Sequence, residues 1–400
     1  MEIQSIGRQF GITAKPIGAK CNLRCEYCYY LEKKNLYPVG SSQMSDELLE
    51  RFIKEYIEAQ PVSDVVFVWH GGESLLRPLP FYKKVLKLQK QYGKGKNIIN
   101  TLQTNATLLN SEWCEFFKAN DWLIGVSIDG PEFIHNRFRK NMNMKGSFGD
   151  VMKGIERLNK HGVEWNVLAT VNSLNVNYPV ETYNFLKSLG TRFIQFTPVV
   201  ERFEESGKLL SGSDNGIKVA EFSVTPEKWG DFLCKLYDEW VKNDVGEIFV
   251  QLFDATLANW MGVTPGVCTM ARTCGNALAI EYNGDVYSCD HFVFPKYKLG
   301  NLKDKHLVEM VMDEKQQKFG FDKAQSLPSR CKQCEYLFAC NGECPRNRFM
   351  VTPEGESGWN YLCAGYKKFF EYVADDMDFM CNELENERPP SNIMKLKKIN

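Results

Sequence analysis

Four hundred residues leave room for two or three domains and at least one sizeable core. Hydrophobic residues make up 44% and charged residues 25%, an ordinary globular mix. The 49 basic and 50 acidic side chains nearly cancel, for a formal charge of -1, which argues against nucleic acid or an anionic membrane as a partner drawn by charge. No apolar run approaches the ~18 residues needed to span a bilayer. Residues 1–20 are polar and mixed, without the apolar core of an export signal.

In chain order, β-rich runs are predicted at 11–17, 64–69, 97–103, 122–128, 164–171 and 192–197. Amphipathic helices are predicted between them, at 46–59, 80–92, 111–119, 148–161 and 178–189. Strands alternating with helices imply βαβ units and a parallel sheet. Six such units with right-handed crossovers curl toward a partial barrel, whose ligand site lies at the C-terminal ends of the strands. The polar and glycine-rich stretches fall in those places: 21–28, Gly71-Gly72-Glu73, Thr104-Asn105, 127–130 and 195–198. Residues 201–218 read as a polar loop. Thr225 caps a helix with Pro226 at its first position, and Trp229, Phe232, Leu233, Leu236, Tyr237 and Trp240 form its apolar stripe. From about residue 263 the chain turns to short segments and cysteines, where bound metal would supply much of the folding energy. A helix near 366–385 and a basic tail, 388–400, close it. The expected organisation is a barrel over 1–225, a helical linker over 226–262, a cysteine-rich domain over 263–370, and a final helix and tail over 371–400.

Fourteen cysteines in a chain without an export signal suit metal binding better than disulfides. Cys21, Cys25 and Cys28 are spaced C-x3-C-x2-C. Cys268, Cys274 and Cys289 are wider apart, and Cys331, Cys334, Cys340 and Cys344 are dense, with Cys363 trailing. These eleven partition as three, four and four. Four thiolates saturate a cubane iron–sulfur cluster or a tetrahedral zinc, whereas three leave one cluster iron open to a small molecule. For the C-terminal groups zinc stays an alternative. The N-terminal trio, with no nearby histidine, makes a poor closed zinc site. Cys114, Cys234 and Cys381 read as small buried hydrophobes.

The run Cys21-Asn-Leu-Arg-Cys25-Glu-Tyr-Cys28-Tyr29-Tyr30, after a first strand and with Gly71-Gly72-Glu73 at the next strand end, resembles the signature of radical S-adenosylmethionine (radical SAM) enzymes. The later cysteines resemble a SPASM domain, the extension that carries two auxiliary clusters. Within that group the chain is most similar to anaerobic sulfatase-maturating enzymes. Gln103–Leu109, Ser127-Ile-Asp-Gly-Pro131, Cys289-Asp290-His291 and Asn360-Tyr-Leu-Cys-Ala-Gly-Tyr366 carry that similarity. The sequence departs from the family at Ser74, Asn136 and Glu343, the last standing where glycine is frequent.

The resemblance implies a partial (β/α)6 barrel with a C-terminal SPASM domain, three 4Fe–4S clusters, and S-adenosylmethionine as cosubstrate. It places one cluster on Cys21, Cys25 and Cys28, where reductive cleavage of the cosubstrate yields a 5′-deoxyadenosyl radical. It assigns Cys268, Cys274, Cys289 and Cys344 to one auxiliary cluster, and Cys331, Cys334, Cys340 and Cys363 to the other. Gly71, Gly72 and Glu73 would receive the methionine amino group, Tyr27 and Val200 the adenine, and Ser127 and Arg139 the ribose and carboxylate. Asp290 would be the base, and Tyr30 and His70 would touch the substrate. Plainer alternatives are a solvated charge for Arg139, a strand-end turn for Ser127, a turn carboxylate for Asp290, and a partly buried strand-end histidine for His70.

The implied reaction oxidises a serine or cysteine in an unfolded sulfatase segment, Cys/Ser-x-Pro/Ala-x-Arg, to Cα-formylglycine. It calls for a low-potential donor such as flavodoxin or ferredoxin and for an oxygen-poor cytoplasm, with no nucleic acid or membrane partner. A SPASM enzyme making thioether or carbon–carbon crosslinks in a peptide is the alternative activity. A zinc-bound module without catalysis is the alternative class. Ser326-Leu-Pro-Ser-Arg330 itself fits the substrate pattern, but reads first as a loop leading into Cys331.

Overall fold

The structure is a computed structural model that describes residues 9–37, 43–204 and 218–398. The strands of interest are β1 (Gly11–Lys15), β2 (Asp64–Trp69), β3 (Asn97–Thr104), β4 (Leu123–Ser127), β5 (Trp165–Val171), β6 (Phe193–Pro198), β7 (Phe249–Val250), β8 (Ala277–Glu281), β9 (Asp285–Tyr287) and β10 (Lys298–Asn301). The helices are α1 (Asp46–Ala59), α2 (Leu79–Tyr92), α3 (Ser111–Ala119), α4 (Glu132–Phe138), α5 (Phe148–His161), α6 (Pro179–Ser188), α7 (Pro226–Asn243), α8 (Gln251–Trp260), α9 (Glu314–Gln325) and α10 (Cys363–Glu385). The six expected strands and five expected helices of the first half are present within two residues at each end. Their apolar periodicity is reinforced by caps: Ser45 accepts from Leu48 N at 3.2 Å at the start of α1, and Thr225 accepts from Lys228 N at 3.4 Å at the start of α7.

The chain forms two compact units. The first comprises Met1–Ser127, Phe138–Trp165 and Gly275–Phe321, and the second Ile128–Arg137, Asn166–Cys274 and Asp322–Asn400. In the first, seven strands lie in the order β10-β9-β8-β1-β2-β3-β4. β8, β1, β2, β3 and β4 run parallel, and β9 and β10 add antiparallel strands at the edge. Phe52, Tyr56, Phe67, Trp69 and Tyr82 are all buried, and their rings meet edge-on or stacked with centroids 4.9–6.2 Å apart.

The cysteine-rich half contains more regular structure than its turn-rich sequence predicts. Ala277–Glu281 pairs with β1 along its full length, Gly11 opposite Ala277 through Lys15 opposite Glu281. A short apolar run ending at the Asn283-Gly284 turn is as compatible with a buried strand as with a loop, and pairing to a distant strand decides it.

In the second unit β5, β6 and β7 are parallel neighbours. The predicted stripe of α7 is buried throughout. It packs against α10, with Tyr237 and Phe253 stacking around Phe369. The two helices approach so closely that a Cβ on Gly365 would stand 2.2 Å from Pro226 O, and one on Gly230 2.9 Å from Gly365 Cα. Part of the basic tail forms a short helix, Ile393–Lys397. Most of the expected polar loop at 201–218, the first eight residues and the last two lie outside the described residues. Gly365→Val is expected to destabilise the protein by about 1–3 kcal/mol through forced separation of α7 and α10, measured as a fall in denaturant midpoint against Gly365→Ala and the parent chain.

Candidate active site

The Cys21–Cys28 loop leaves the C-terminal end of β1 and is gripped on three sides. From the end of β2, Gly72 N donates to Gly18 O at 2.7 Å and Glu73 N to Lys20 O at 2.9 Å. From the end of β3, Asn105 Nδ2 donates to Asn22 Oδ1 at 2.9 Å and lies 3.8 Å from Cys21 Sγ. From residues 138–140, Phe138 O accepts from Glu26 N at 3.1 Å and Lys140 O from Arg24 N at 2.7 Å. Gly72 has no room for a side chain, since a Cβ there would fall 2.0 Å from Lys20 O.

The Glu73 carboxylate is fully used inside this frame. It accepts from Leu75 N at 2.9 Å, Thr104 Oγ1 at 2.7 Å and Asn105 N at 2.8 Å. Glu73 therefore ties β2 to β3, and only its backbone and that of Gly71 and Gly72 are left to face a ligand. The N–H groups of all three are taken, that of Gly71 by its neighbour His70 Nδ1 at 2.7 Å. The carbonyls of Gly71 and Gly72 accept no hydrogen bond among the described residues, and carbonyl acceptors suit an ammonium group.

Cys21, Cys25 and Cys28 form no disulfide. Burial pushes the Cys21 thiol up to about 12, so it stays protonated until a cation displaces its proton. Three thiols outside any disulfide on a pinned loop suit an iron–sulfur cluster. The Tyr27 ring lies 5.6 Å from the Arg139 guanidinium, and both residues are buried. Ser127 ends β4 in the same unit. Val200 is buried in the second unit, two residues past β6.

A charged cluster sits where β1, β2 and β8 end. The Lys15 side chain is wholly buried, and its Nζ lies 2.5 Å from Asp290 Oδ1 and 2.8 Å from His70 Nδ1. It also stands 4.3 Å from the centroid of the Tyr30 ring. Asp290 is 20% exposed, and its Oδ2 accepts from Tyr29 OH at 2.6 Å. Burial alone would raise the Asp290 carboxyl, but Lys15 beside it holds it well below the usual carboxylate range. Burial, with Lys15 beside it, pushes His70 down to about 3. His70 is thus neutral, and two donors facing Nδ1 put its proton on Nε2.

Tyr30 is buried with its hydroxyl donating to Glu281 Oε1, so Tyr29 is the tyrosine that reaches Asp290. Burial pushes Glu281 up to about 8 despite the opposing pull of Lys15. Sequence reading missed Lys15, Tyr29 and Glu281. A lysine closing an otherwise apolar strand was the available signal for the first. The partnership with Glu281 depends on the β1–β8 pairing.

In the second unit Cys268, Cys274, Cys331, Cys334, Cys340, Cys344 and Cys363 gather in two sets, while Cys289 lies in the first unit. Cys331, Cys334, Cys340 and Cys363 lie within electrostatic reach of one another. Cys344 is within reach of Cys268, and Lys323 of both Cys344 and Cys274. Among the described residues no three His, Cys, Asp or Glu side chains are grouped closely enough to hold a single metal ion. Cys114, Cys234 and Cys381 are buried away from these sets by sequence and packing, as small hydrophobes. Ser326 is exposed at the end of α9, with its hydroxyl donating to Asp322 O, and Leu327 and Pro328 are buried.

Comparison with known proteins fits this arrangement. Residues 16–186 match the radical SAM superfamily, and residues 268–335 match SPASM, an iron–sulfur cluster-binding domain. The chain is 58% identical to a serine-type anaerobic sulfatase-maturating enzyme of Bacteroides thetaiotaomicron, over 97% of this chain and 95% of that one. It is 31% identical to a cysteine-type anaerobic sulfatase-maturating enzyme of Clostridium novyi, over 94% and 98%. Among solved structures it resembles native anSMEcpe with bound AdoMet and a Cp18Cys peptide, with TM-score 0.82, 30% identity and 94% and 100% coverage. The fold and site define a radical SAM protein with a SPASM extension. Within that class the chain belongs to the anaerobic sulfatase-maturating enzymes. The expected (β/α)6 partial-barrel class is the one these relatives define, and the SPASM match replaces the zinc alternative with iron–sulfur clusters.

Lys15→Met is expected to cost about 3–5 kcal/mol by leaving a buried carboxylate unpaired. Lys15→Met with Asp290→Asn is expected to cost less than the sum of the two single changes. The low Asp290 value means the pair's stabilisation is fully present above ~3.9, the value of an unfolded aspartate, and is lost as acid approaches the folded-state value. Unfolding midpoints of the four proteins between pH 7 and pH 4 measure this, with coupling constant across that range as the expected result.

Proposed function

We propose that this chain oxidises one serine or cysteine of a sulfatase polypeptide to Cα-formylglycine, with serine as the favoured substrate. The observation that carries the reading is the near full-length identity to the serine-type enzyme. The pinned trio of thiols outside any disulfide and the ionised Asp290 in the same unit support it. The crosslinking alternative gains no comparable support, since a likeness to SuiB at 15% identity reflects fold alone.

In this reading residues 1–225 carry the radical chemistry and 263–370 the auxiliary ligands. Cys21, Cys25 and Cys28 hold the first cluster. Cys268, Cys274, Cys289 and Cys344 hold one auxiliary cluster, and Cys331, Cys334, Cys340 and Cys363 the other. When bound, the first cluster and S-adenosylmethionine supply the 5′-deoxyadenosyl radical that removes the β-hydrogen of the substrate side chain. The carbonyls of Gly71 and Gly72 receive the methionine ammonium, while Tyr27, Ser127, Arg139 and Val200 receive the nucleoside and carboxylate ends.

Asp290 accepts the hydroxyl or thiol proton. Lys15 keeps it ionised, the state a base requires, and thereby weakens it. Loss of the β-hydrogen offsets this, because a hydroxyl on a carbon radical is far more acidic than an alcohol. Tyr29 occupies one lone pair of Oδ2 and leaves another for the substrate. His70, held with its proton on Nε2, can donate to a substrate oxygen. A second electron must leave as the proton does, and an auxiliary cluster held by the later cysteines would take it; serine then gives the aldehyde directly, and cysteine a thioaldehyde that water hydrolyses with release of sulfide.

The partner is an unfolded sulfatase segment of the type Cys/Ser-x-Pro/Ala-x-Arg, with flavodoxin or ferredoxin as donor. Oxygen-labile clusters and fourteen cysteines suit a reducing cytoplasm. No helix among the described residues is long and apolar enough to cross a membrane. Anaerobic incubation of reconstituted protein with S-adenosylmethionine, reductant and matched peptides tests the reading by mass spectrometry. A loss of about 2 Da from the serine peptide or about 18 Da from the cysteine peptide is expected. Formation of 5′-deoxyadenosine with both peptides unaltered would overturn it, and a modified Ser326 peptide would revise the view of that loop as structural.

A further inference from the structure

The loop between Cys340 and Cys344 has an unusual backbone. Asn341, Gly342 and Glu343 take φ of 48°, 71° and 55°, three successive left-handed residues, and glutamate is poorly suited to that region. The run aims carbonyls at one side chain. The Arg348 guanidinium donates to Gly342 O at 2.7 Å, Asn341 O at 2.9 Å and Glu343 O at 3.1 Å, and also to Lys323 O. The Glu343 carboxylate turns elsewhere, to Asn360 Nδ2 at 2.7 Å and Asn347 Nδ2 at 3.1 Å.

Lys323, in the last turn of α9, is caged in the same way. Its Nζ donates to Cys268 O at 2.6 Å, Thr269 O at 2.8 Å and Ala271 O. Three acceptors use all three N–H bonds of an ammonium, where a neutral amine has two. Lys323 is 1% and Arg348 8% exposed, and neither has an ion-pair partner among the described residues. Two buried cations without a carboxylate in direct contact are costly to desolvate unless anions stand near them. One carboxylate, Glu343, stands within electrostatic reach of both and can balance one of the two charges; the other neighbours are cysteines, Cys344 and Cys274 for Lys323, and Cys340, Cys344 and Cys331 for Arg348.

We propose that Lys323 and Arg348 are built-in counterions of the auxiliary clusters, held in carbonyl cages to raise the clusters' reduction potential. The proposal rests on the reading that these cysteines bind iron–sulfur clusters. A cluster on four thiolates is anionic and gains one further negative charge on one-electron reduction, so a fixed cation stabilises the reduced form more. The carbonyl cages keep the side chains in place without neutralising them, and the single nearby carboxylate of Glu343 leaves one of the two positive charges to the clusters. Both are positioning residues, since neither touches substrate.

The test is an EPR-monitored redox titration of the full chain, reconstituted anaerobically, with Cys21, Cys25 and Cys28 replaced by alanine so that only auxiliary clusters contribute. Lys323→Gln is expected to keep its iron and to lower the auxiliary potential. At the parent midpoint the reduced-to-oxidised ratio is expected to fall about tenfold, which is ~59 mV for one electron. Lys323→Arg is expected to stay near the parent. Arg348→Gln and Arg348→Lys form an independent pair with the same expectation, and decide the question if Lys323→Gln loses iron. Iron lost from both glutamine variants but kept by both conservative ones supports the counterion role. Full iron with an unshifted potential in the glutamine variants overturns it, as does loss of iron from all four. Absence of iron from the parent of this series would instead overturn the cluster reading itself.

Discussion

Two backbone hydrogen bonds, from Gly72 to Gly18 and from Glu73 to Lys20, set the position of the cysteine loop on which the proposed chemistry depends. They require the backbones of two strand ends to meet without an intervening side chain, which is why residue 72 has space only for hydrogen at Cα. Glu73 makes the junction rigid from beneath, because its buried carboxylate draws together donors from the ends of β2 and β3. The glycine-glycine-glutamate sequence is thus first a structural joint. In the proposed reading the pair of carbonyls left over is the part offered to a ligand, a separation of duties that the motif alone does not reveal.

A second constraint is electrostatic. Lys15 is a buried cation among Asp290, His70, Tyr30 and Glu281. One ammonium fixes Asp290 as an anion, keeps His70 neutral, and lies beside a largely protonated Glu281. Asp290, His70 and Glu281, which would titrate independently in water, are each held toward one state at neutral pH. A base that begins ionised needs no prior proton loss, although it is weaker for being stabilised. That compromise is workable only when the proton it accepts has become acidic, as it does beside a carbon radical.

Much of this was legible in the sequence. The strands of the first half alternate clearly and end in turn residues, so βαβ reading placed them within two residues. The buried stripe of α7 follows from its 3.6-residue period, and the cysteine spacing pointed to the iron–sulfur chemistry that the radical SAM and SPASM matches define. What stayed hidden depends on contacts between distant segments. The pairing of β8 with β1 puts Lys15 beside Glu281, and nothing local to residues 277–281 announces that. Tyr29 and Tyr30 are neighbours in sequence but point to different partners, so the motif could not say which one reaches Asp290. At Glu343 the sequence did give warning: a glutamate where glycine is common marked an unusual turn, and the structure shows φ of 55° there with three carbonyls turned onto Arg348.

The two halves of the account meet in charge. In the first unit a buried cation serves a carboxylate, and in the second two buried cations held by carbonyls, with one carboxylate near them, face cysteine sets. The most direct test of the central claim compares the intact protein with a Cys21→Ala, Cys25→Ala, Cys28→Ala variant, both reconstituted anaerobically, by iron content and by 5′-deoxyadenosine formed from S-adenosylmethionine and reductant. The account predicts a loss of about four irons per chain, as expected for one cubane, and no 5′-deoxyadenosine from the variant. Undiminished iron, or cosubstrate cleavage at the intact protein's rate, would contradict it.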